Sequence, residues 1–278
     1  MPISVSLIKD SINTVTQKRI TTFKIIQPKW LLAEMNTHRS LSRNSASSRA
    51  IPVNKIIKQV MEDPFIPVHW GKNQKGMQAN EELTQEQIAA CKAEWLSSRD
   101  SAVQHVERLI NLGLHKQISN RILEPWMWAQ TVVTATDYDN FFALRFHKDA
   151  QPEFQEVARQ MLELYILSIP QELEPGEWHI PFEDPTKDTN TNLVQSVARC
   201  CRVSYFNLDG TNSTYEKDLE LYDTLSSSGH WSPFEHQAQC LGENESSGNF
   251  TGGWLQYRKQ WATECRDFDY ERKEYVRG

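Results

Sequence analysis

The chain has 278 residues, of which 39% are hydrophobic and 24% are charged, and its formal net charge at pH 7 is -6. This length and composition supply a hydrophobic core for one large domain or two small ones. The negative charge argues against a protein that coats nucleic acid with a basic surface, although a local basic pocket for one nucleotide remains compatible.

The cysteines and the apolar stretches predict a soluble cytoplasmic protein. The cysteines are odd in number, include one adjacent pair and show no Cys-x-x-Cys spacing, so we expect reduced thiols rather than disulfides or a zinc ribbon. No apolar run reaches the roughly 20 residues of a membrane span, and the N-terminus lacks the features of a signal peptide. The cysteines are Cys91, Cys200, Cys201, Cys240 and Cys265.

Apolar alternation predicts two strands at the start of the chain, at residues 3–10 and 20–26, with a turn between them. Pro28 then suits a first helical turn, because its missing N–H has no partner there in any case. Four of the following residues can share one buried side of a helix. These residues are Trp30, Leu31, Leu32 and Met35.

A polar run follows this helix, from Thr37 to Arg49. Its serines and asparagine cannot fill a core, but they offer hydroxyls and leave backbone N–H groups free in a turn. Three arginines in that setting suit an anionic oxygen, above all that of a phosphate. On spacing alone, a solvated helix end with a polar loop is the better interpretation. The arginines are Arg39, Arg43 and Arg49.

The rest of the chain shows helical periodicity interrupted by proline and glycine. Residues 126–136 are apolar and β-branched, and they fit a helix and a strand equally well. Residues 63–79 form a long loop, and long ordered loops more often carry function than short ones do. Proline-rich residues 170–192 are the clearest predicted boundary between two parts of the chain. The predicted helices are 51–60, 81–112, 154–168 and 215–227.

The polar run resembles a known family signature when its fixed positions are taken together. Residues 38–49, His-Arg-x-x-Ser-x-Asn-x-x-Ser-x-Arg, are similar to the signature Arg-His-Arg-x-x-Ser-x-Asn-x-x-Ser-x-Arg of the flavin-dependent thymidylate synthases. Two positions depart from the family. Thr37 stands where the first arginine belongs, and Glu34 stands where the family usually has a glutamine that contacts the nucleotide base.

A second block of resemblance lies about one hundred residues later and runs from Asn140 to Glu153. The family has Asn-Phe-x-x-Leu-Arg, a short spacer and then Ala-Gln-x-Glu at the start of a helix. Asn140 matches a residue that contacts the flavin, and Arg145 matches an arginine placed against the pyrimidine ring. Upstream, Arg121 matches a phosphate-binding arginine, whereas Thr134-Ala135-Thr136 replaces a flavin-binding Asn-x-Arg.

The third block of resemblance is out of the usual order. The stretches 198–205 and 229–236 are similar to family motifs that precede the arginine signature, but here they follow it. The chain therefore resembles a circularly permuted member, which is tolerable where the original termini lie close together. Residues 249–259 look like a partial second copy of residues 23–39. We expect Gln256 and Arg258 to replace what Glu34 and Thr37 have lost.

The resemblance implies the fold and the chemistry. The expected fold is α+β, an antiparallel sheet with surrounding helices in permuted order, in a single domain of residues 1–278. Within it, residues 1–168 would carry the nucleotide and flavin signature, 169–192 would connect, and 193–278 would carry the histidine block. The expected reaction is reductive methylation of dUMP to dTMP, with FAD as cofactor and methylenetetrahydrofolate and NADPH as co-substrates, in a homotetramer.

The resemblance also implies roles for individual residues. The substrate phosphate would be bound by Ser47, Ser48, Arg49 and Arg121. The pyrimidine base would contact Glu34, Arg145 and Gln256. Arg145 is the predicted catalytic residue, because its charge can stabilise negative charge that develops on the ring. The flavin would contact His38, Arg39, Asn140, Ser204, His230, Ser232 and Arg258.

Other kinds of site fit the residues less well. The inverted zincin pattern needs His-x-x-Glu-His, but His230 is too far from Glu235 and His236, and Pro233 interrupts a helix. We therefore expect no metal. Ser47 lacks an Asp–His pair at a recognised spacing, so a serine nucleophile is not expected either.

Two further functions remain open beside thymidylate synthesis. A carboxylate at Glu34 could prefer an amino group to a carbonyl, which favours a pyrimidine hydroxymethylase acting on dUMP or dCMP. A nucleotide-binding protein without catalysis is the more distant alternative, in which the phosphate site survives and the flavin site has decayed. We expect neither nucleic acid nor membrane as a partner.

Overall fold

The computed structural model describes residues 2–203, 213–264, 268–269, 271–272 and 274–275. Within these residues the chain forms an α+β fold, in which mainly antiparallel sheets are surrounded by helices. This is the fold class that the resemblance implied. In the described part of the chain, no helix combines the length and the apolar content that crossing a membrane requires.

The fold begins with a hairpin of two ten-residue antiparallel strands, β1 (Ser4–Asn13) and β2 (Arg19–Pro28). Phe23 and Ile25 of β2 are fully buried whereas Lys24 between them is not, which is the period of two expected for a strand. Both strands predicted at this end of the chain are confirmed, and each extends a few residues further.

Three more strands complete the main sheet, in the order β3-β4-β2-β1-β5. The strands β3 (Ser42–Ser45) and β4 (Trp128–Ala135) are antiparallel to their neighbours, and β5 (Gln171–Leu173) is parallel to β1. The stretch 126–136, ambiguous in sequence, is therefore a central strand, consistent with the β propensity of its valines and threonines.

Helices surround the sheet and begin or end at recognisable residues. Thr84 and Gln87 form a capping box at the start of the helix Gln85–Asn111, and Gly113, with φ +87°, follows its end. Segments of 3-10 helix also occur in the described part of the chain, among them Lys29–Leu31, Asn120–Trp126, Ser232–Glu235 and Tyr257–Gln260. The α-helices are α1 (Leu32–Met35), α2 (Val53–Glu62), α3 (Gln85–Asn111), α4 (Lys116–Ser119), α5 (Asp139–Arg145), α6 (Pro152–Leu167), α7 (Thr189–Arg202) and α8 (Tyr215–Ser228).

The largest core clusters lie where these helices meet the sheet. One packs α5 and α6 against β2, and it includes Phe23, Phe141 and Phe154, each at most 2% exposed. Another packs α2 and α3 against the 3-10 segment Asn120–Trp126 and the start of β4. Burying each large apolar side chain contributes about 1.5–3 kcal/mol, so these clusters hold the polar run in place.

A second sheet joins the late part of the chain to the early hairpin. Its order is β6-β7-β8, formed by Trp178–His179, Ala238–Cys240 and Trp254–Gln256. Asn13 at the end of β1 donates hydrogen bonds to the carbonyls of Leu241, at 2.9 Å, and Gly253, at 3.0 Å. Two short strands, β9 (Phe268–Asp269) and β10 (Glu274–Tyr275), pair near the C-terminus.

Some expectations about local structure are wrong. Trp30 is 41% exposed, because the expected helix is a 3-10 turn followed by only the four residues of α1. Part of the polar run, expected as loop, is strand β3. The predicted boundary at residues 170–192 contains the strands β5 and β6, so it has more regular secondary structure than its prolines indicated.

Candidate active site

The polar run and the late histidine block meet at strand β3. Ser42 Oγ accepts a hydrogen bond from Gln256 Nε2 at 2.9 Å, and Asn44 Nδ2 donates to the carbonyl of Cys200 at 3.1 Å. The 3-10 segment Ser232–Glu235 packs against the same strand. Polar residues can occupy this buried strand because their side chains are paired. Parts that are distant in sequence therefore form one candidate site.

Arg145 lies at the end of α5, beside the start of the polar run. Its Nε donates to His38 Nε2 at 2.8 Å, its Nη1 to Glu34 Oε2 at 2.6 Å and its Nη2 to Thr37 Oγ1 at 3.3 Å. The guanidinium also lies over the Phe154 ring, 4.8 Å from its centroid. Four contacts of two kinds leave this arginine little rotational freedom. The structure thus brings three predicted site residues, Glu34, His38 and Arg145, into one cluster.

His38 is held in its neutral form by this cluster. Burial, which is the largest cause, and the positive charges of Arg145 and Arg43 together lower the pKa of His38 to about 4. Since Arg145 Nε can only donate, His38 Nε2 accepts and its proton is on Nδ1. Arg43 also donates to the carbonyl of His38. The imidazole therefore acts as a hydrogen-bonding group that orients Arg145.

Glu235 connects the signature strand to the C-terminal segment. Burial raises the pKa of Glu235, while the charges of Arg258 and Arg43 lower it. Arg258 donates to Glu235 and, through Nε at 2.7 Å, to Glu264. Gln256 donates to the carbonyl of Glu235 at 3.1 Å. Both C-terminal candidates thus contact the histidine block, and their predicted roles toward base and flavin stay predictions.

The candidate phosphate residues lie beyond the other end of β3. Ser48 Oγ donates to Glu124 Oε1 at 2.5 Å, and Arg121 Nη1 lies 3.7 Å from the same oxygen. Arg49 is exposed and Ser47 is half-buried. Sequence reasoning missed Lys29, which lies near Arg121 and Glu124 and donates to the carbonyl of Ala46 at 2.5 Å. Four predicted phosphate residues therefore occupy one neighbourhood with an added cation.

Four of the predicted flavin contacts have exposed side chains: Arg39, Asn140, His230 and Ser232. His230 Nδ1 lies 2.8 Å from Ser228 Oγ, which leaves Nε2 directed elsewhere. A guanidinium, an amide, an imidazole and a hydroxyl are donors that suit the phosphates and ring edges of a flavin dinucleotide, so the set fits FAD. Ser204 lies outside the described residues. Among the described residues, no three His, Cys, Asp or Glu side chains group to hold a metal ion.

A buried series of hydrogen bonds runs across β4, β2 and β1 of the main sheet and was missed in the sequence. His236 Nδ1 is 2.9 Å from Thr134 Oγ1, which is 2.8 Å from Thr22 Oγ1. Thr22 Oγ1 is 2.9 Å from His179 Nε2, and His179 Nδ1 is 2.9 Å from Ser11 Oγ. All five residues are fully buried. These hydrogen bonds join the histidine block and the connecting segment to the main sheet.

This burial predicts that the protein loses stability in mild acid. Burial lowers the pKa of His236 to about 3 and that of His179 well below the ordinary 6.5, as it does for His38. Between the ordinary and the folded pKa, the unfolded chain binds more protons than the folded one. The free energy of unfolding therefore has its full value above about pH 6.5. It falls between about pH 6.5 and pH 4, by up to about 1.4 kcal/mol per pH unit for each histidine. Urea unfolding at several pH values measures this slope.

A matched variant isolates one contribution to that slope. His38→Gln keeps an acceptor for Arg145 but cannot titrate. The slope of the free energy of unfolding against pH, between pH 6.5 and pH 4.5, is therefore expected to fall by the amount that corresponds to about one proton taken up on unfolding. An unchanged slope in this variant would contradict a neutral His38 in the folded protein.

The α+β sheet, the signature strand and the Arg145 cluster together define a thymidylate synthase-like transferase. A comparison with protein families gives the same class: the family described as thymidylate synthase complementing protein matches residues 5–171, which is well over half of the chain. The chain belongs to the thymidylate synthase complementing protein family, and the resemblance of its polar run is confirmed.

Solved structures similar to the chain include the UMP/dUMP methylase PolB from Streptomyces cacaoi. In its form bound with 5-Br UMP it is 15% identical, with a TM-score of 0.48, and the match covers 59% of this chain and 88% of that one. In its form bound with 5-Br dUMP the identity is 17%, the TM-score is 0.45 and the coverage is 59% and 89%. A comparison with curated proteins gives no match.

Proposed function

We propose that this protein is a flavin-dependent thymidylate synthase, which transfers a one-carbon group to carbon 5 of a pyrimidine deoxynucleotide monophosphate. The substrates would be dUMP and methylenetetrahydrofolate, the product would be dTMP, and NADPH would be the reductant. The observation that carries the proposal is the Arg145 cluster, in which a fixed guanidinium lies beside a signature histidine.

The residues of this cluster have the properties that the reaction needs. A guanidinium has five N–H groups, and Arg145 directs three of them to Glu34, His38 and Thr37, so two remain for a ligand. Held in place, they would stabilise negative charge that develops on the pyrimidine ring in the transition state. This electrostatic role requires no protein nucleophile. The neutral His38 would keep the guanidinium oriented without neutralising its positive charge.

FAD would be held by exposed polar residues of the polar run, of α5 and of the histidine block. Arg39, Asn140, His230 and Ser232 supply the donors described above, and Ser204 and Arg258 remain candidates from the resemblance. When bound, FAD would supply the hydride that completes the transfer of the carbon group. The packing of Ser232–Glu235 against β3 supports a shared flavin site for the early and late motifs.

The permuted order is also part of the proposal. The family match ends at residue 171, and the late motifs nevertheless pack against the signature strand within the same chain. This arrangement is what a single permuted domain of residues 1–278 requires. A homotetramer, as the resemblance implies, would complete the sites, and exposed apolar residues at the end of α6 are available for subunit contact. These are Ile166, Leu167 and Ile169.

Glu34 favours a second candidate function, a hydroxymethylase or methylase that acts on dCMP. Its carboxylate is 42% exposed and is paired to Arg145 through Oε2. A carboxylate only accepts hydrogen bonds, so it can pair with the 4-amino group of cytosine but not with the 4-carbonyl of uracil. A uracil could still be bound through its N3–H. The side chain at this position therefore bears on which base is preferred.

A single variant tests the role of Glu34. Glu34→Gln adds an amide donor that can bind a 4-carbonyl, so the ratio of kcat/KM for dUMP to that for dCMP is expected to rise about tenfold or more, roughly 1.4 kcal/mol. The measurement is steady-state turnover of both nucleotides. Glu62→Gln, exposed on α2, serves as the control and should leave the ratio unchanged. An unchanged ratio in Glu34→Gln would remove Glu34 from base recognition.

The product of the reaction tests the proposed function directly. Purified protein with bound FAD is incubated with dUMP or dCMP, methylenetetrahydrofolate and NADPH, and the nucleotide mass is measured. A methyl group added to dUMP supports thymidylate synthesis, and a hydroxymethyl group on either nucleotide supports the second candidate. Protein that binds no added FAD and leaves both nucleotides unchanged would favour nucleotide binding without catalysis.

A further inference from the structure

The candidate phosphate site already contains an anion that belongs to the chain itself. Glu124 lies one turn after Arg121 in the 3-10 segment Asn120–Trp126. Its Oε1 accepts the Ser48 hydroxyl at 2.5 Å and lies 3.7 Å from Arg121 Nη1. The Glu124 side chain is 28% exposed, compared with 56% for Arg121, so the carboxylate is the more enclosed partner.

Lys29 adds a second positive charge beside this carboxylate. Its Nζ donates to the carbonyl of Ala46 at 2.5 Å. Burial lowers the pKa of Lys29, the negative charge of Glu124 raises it and the positive charge of Arg121 lowers it. Lys29 therefore lies within electrostatic range of both partners. One hydroxyl donor and one guanidinium face a single carboxylate, with the Lys29 ammonium within electrostatic range, where the resemblance implies a phosphate dianion.

A carboxylate and a phosphate compete for the same donors, because both present anionic oxygens to hydroxyl and guanidinium groups. While Glu124 holds the Ser48 hydroxyl, that group cannot donate to a ligand. A phosphate dianion that enters beside Glu124 also meets like-charge repulsion, which is strong at distances of a few ångströms and only partly screened in a half-buried site.

We propose that Glu124 is an internal competitor of the substrate phosphate, which occupies Ser48 and Arg121 until a nucleotide displaces it. This inference rests on the proposed function, since it assumes that the site binds a nucleotide phosphate. The competitor lowers the affinity for phosphate alone, so that productive binding depends on base contacts at the Arg145 cluster as well. Glu124 is thus a residue that determines specificity rather than a catalytic one.

The test compares three ligands in the full-length protein by calorimetry: dUMP, deoxyuridine and inorganic phosphate. Glu124→Gln is close in shape but removes the charge, and its neutral amide oxygen holds the Ser48 hydroxyl less strongly than the carboxylate does. We expect it to bind dUMP and inorganic phosphate about tenfold or more tightly than the unaltered chain does, with deoxyuridine unchanged. Glu163→Gln is the matched control, because Glu163 is also paired to an arginine, Arg159, but lies on α6.

A second variant measures the displacement itself. If Glu124 holds the hydroxyl, Ser48→Ala changes the affinity for dUMP by less than about twofold in the unaltered chain but by about fivefold or more in the Glu124→Gln background. A purely structural role for Glu124 would not produce this coupling. Circular dichroism of each variant checks that the fold is retained.

The outcomes separate this inference from the proposed function. If Glu124→Gln binds inorganic phosphate no more tightly than the unaltered chain does, the competitor role of Glu124 is overturned. In that case, nucleotide turnover by the unaltered chain would leave the proposed function intact. Tighter binding of inorganic phosphate with no binding of dUMP to any variant supports the competitor and overturns the proposed function. If neither phosphate-bearing ligand binds to any variant, both are overturned.

Discussion

Replacement of Arg145 with alanine is expected to lower kcat/KM for the nucleotide by about 10²–10³-fold, the loss typical when one preorganised donor to developing charge is removed. Arg145 is fixed by Glu34, His38 and Thr37, so its charge is oriented before a ligand binds. A group that acts in the transition state affects kcat, whereas one that only binds substrate raises KM. Steady-state turnover at saturating FAD and folate separates the two parameters.

Arg159→Ala provides the matched control for this variant. Arg159 lies on α6, where its guanidinium pairs with Glu156 and Glu163, and it is half-exposed. We expect kcat to stay within about twofold in this control, since surface ion pairs of this kind contribute about 0–1 kcal/mol. If Arg145→Ala retained normal kcat and normal thermal stability, the catalytic role assigned to Arg145 would be wrong.

Replacement of Thr134 with valine is expected to destabilise the fold by about 2–4 kcal/mol. Valine nearly matches threonine in shape, but it removes the hydroxyl that joins His236 to Thr22 in the buried series of hydrogen bonds. His236 Nε2 already has no partner among the described residues, so the variant would leave both imidazole nitrogens unpaired. The change in the urea midpoint, at an unchanged slope, measures the loss.

Thr224→Val is the control for a valine substitution as such. Thr224 is exposed on α8, and its hydroxyl bonds only to the carbonyl of Glu220 one turn earlier, at 2.8 Å. A change within about 0.5 kcal/mol is expected. A loss of equal size in both variants would show that the buried series of hydrogen bonds makes no special contribution to stability.

The secondary structure was largely predictable where local periodicity is strong. The hairpin of β1 and β2, and the helices α2, α3, α6 and α8, follow from apolar spacing and from proline or glycine at their ends. The strand β4 could not be separated from a helix, because it is buried along its length and shows no alternation. The strand β3 was missed because a polar strand is stable only when distant side chains pair with it.

The candidate site was predictable in its members but not in its contacts. The signature residues, Arg121 and Arg145 were found by resemblance, and the structure groups Glu34, His38 and Arg145 closely. Glu124 and Lys29 were missed because neither belongs to a motif, and their importance comes from lying beside Ser48 and Arg121. The same is true of His179, whose partner Thr22 is far away in the chain.

The sequence alone determined the family, the helices with strong periodicity, and the set of arginines, serines and histidines to which the proposed chemistry is assigned. These properties depend on residue identity and on neighbours within a few positions, which a linear pattern records directly. Only the tertiary structure decided which carboxylate faces each arginine, that the late histidine block packs on β3, and that His38 stays neutral. Those properties depend on distance, burial and charge between groups that are far apart in the chain, and a linear pattern contains no measure of them.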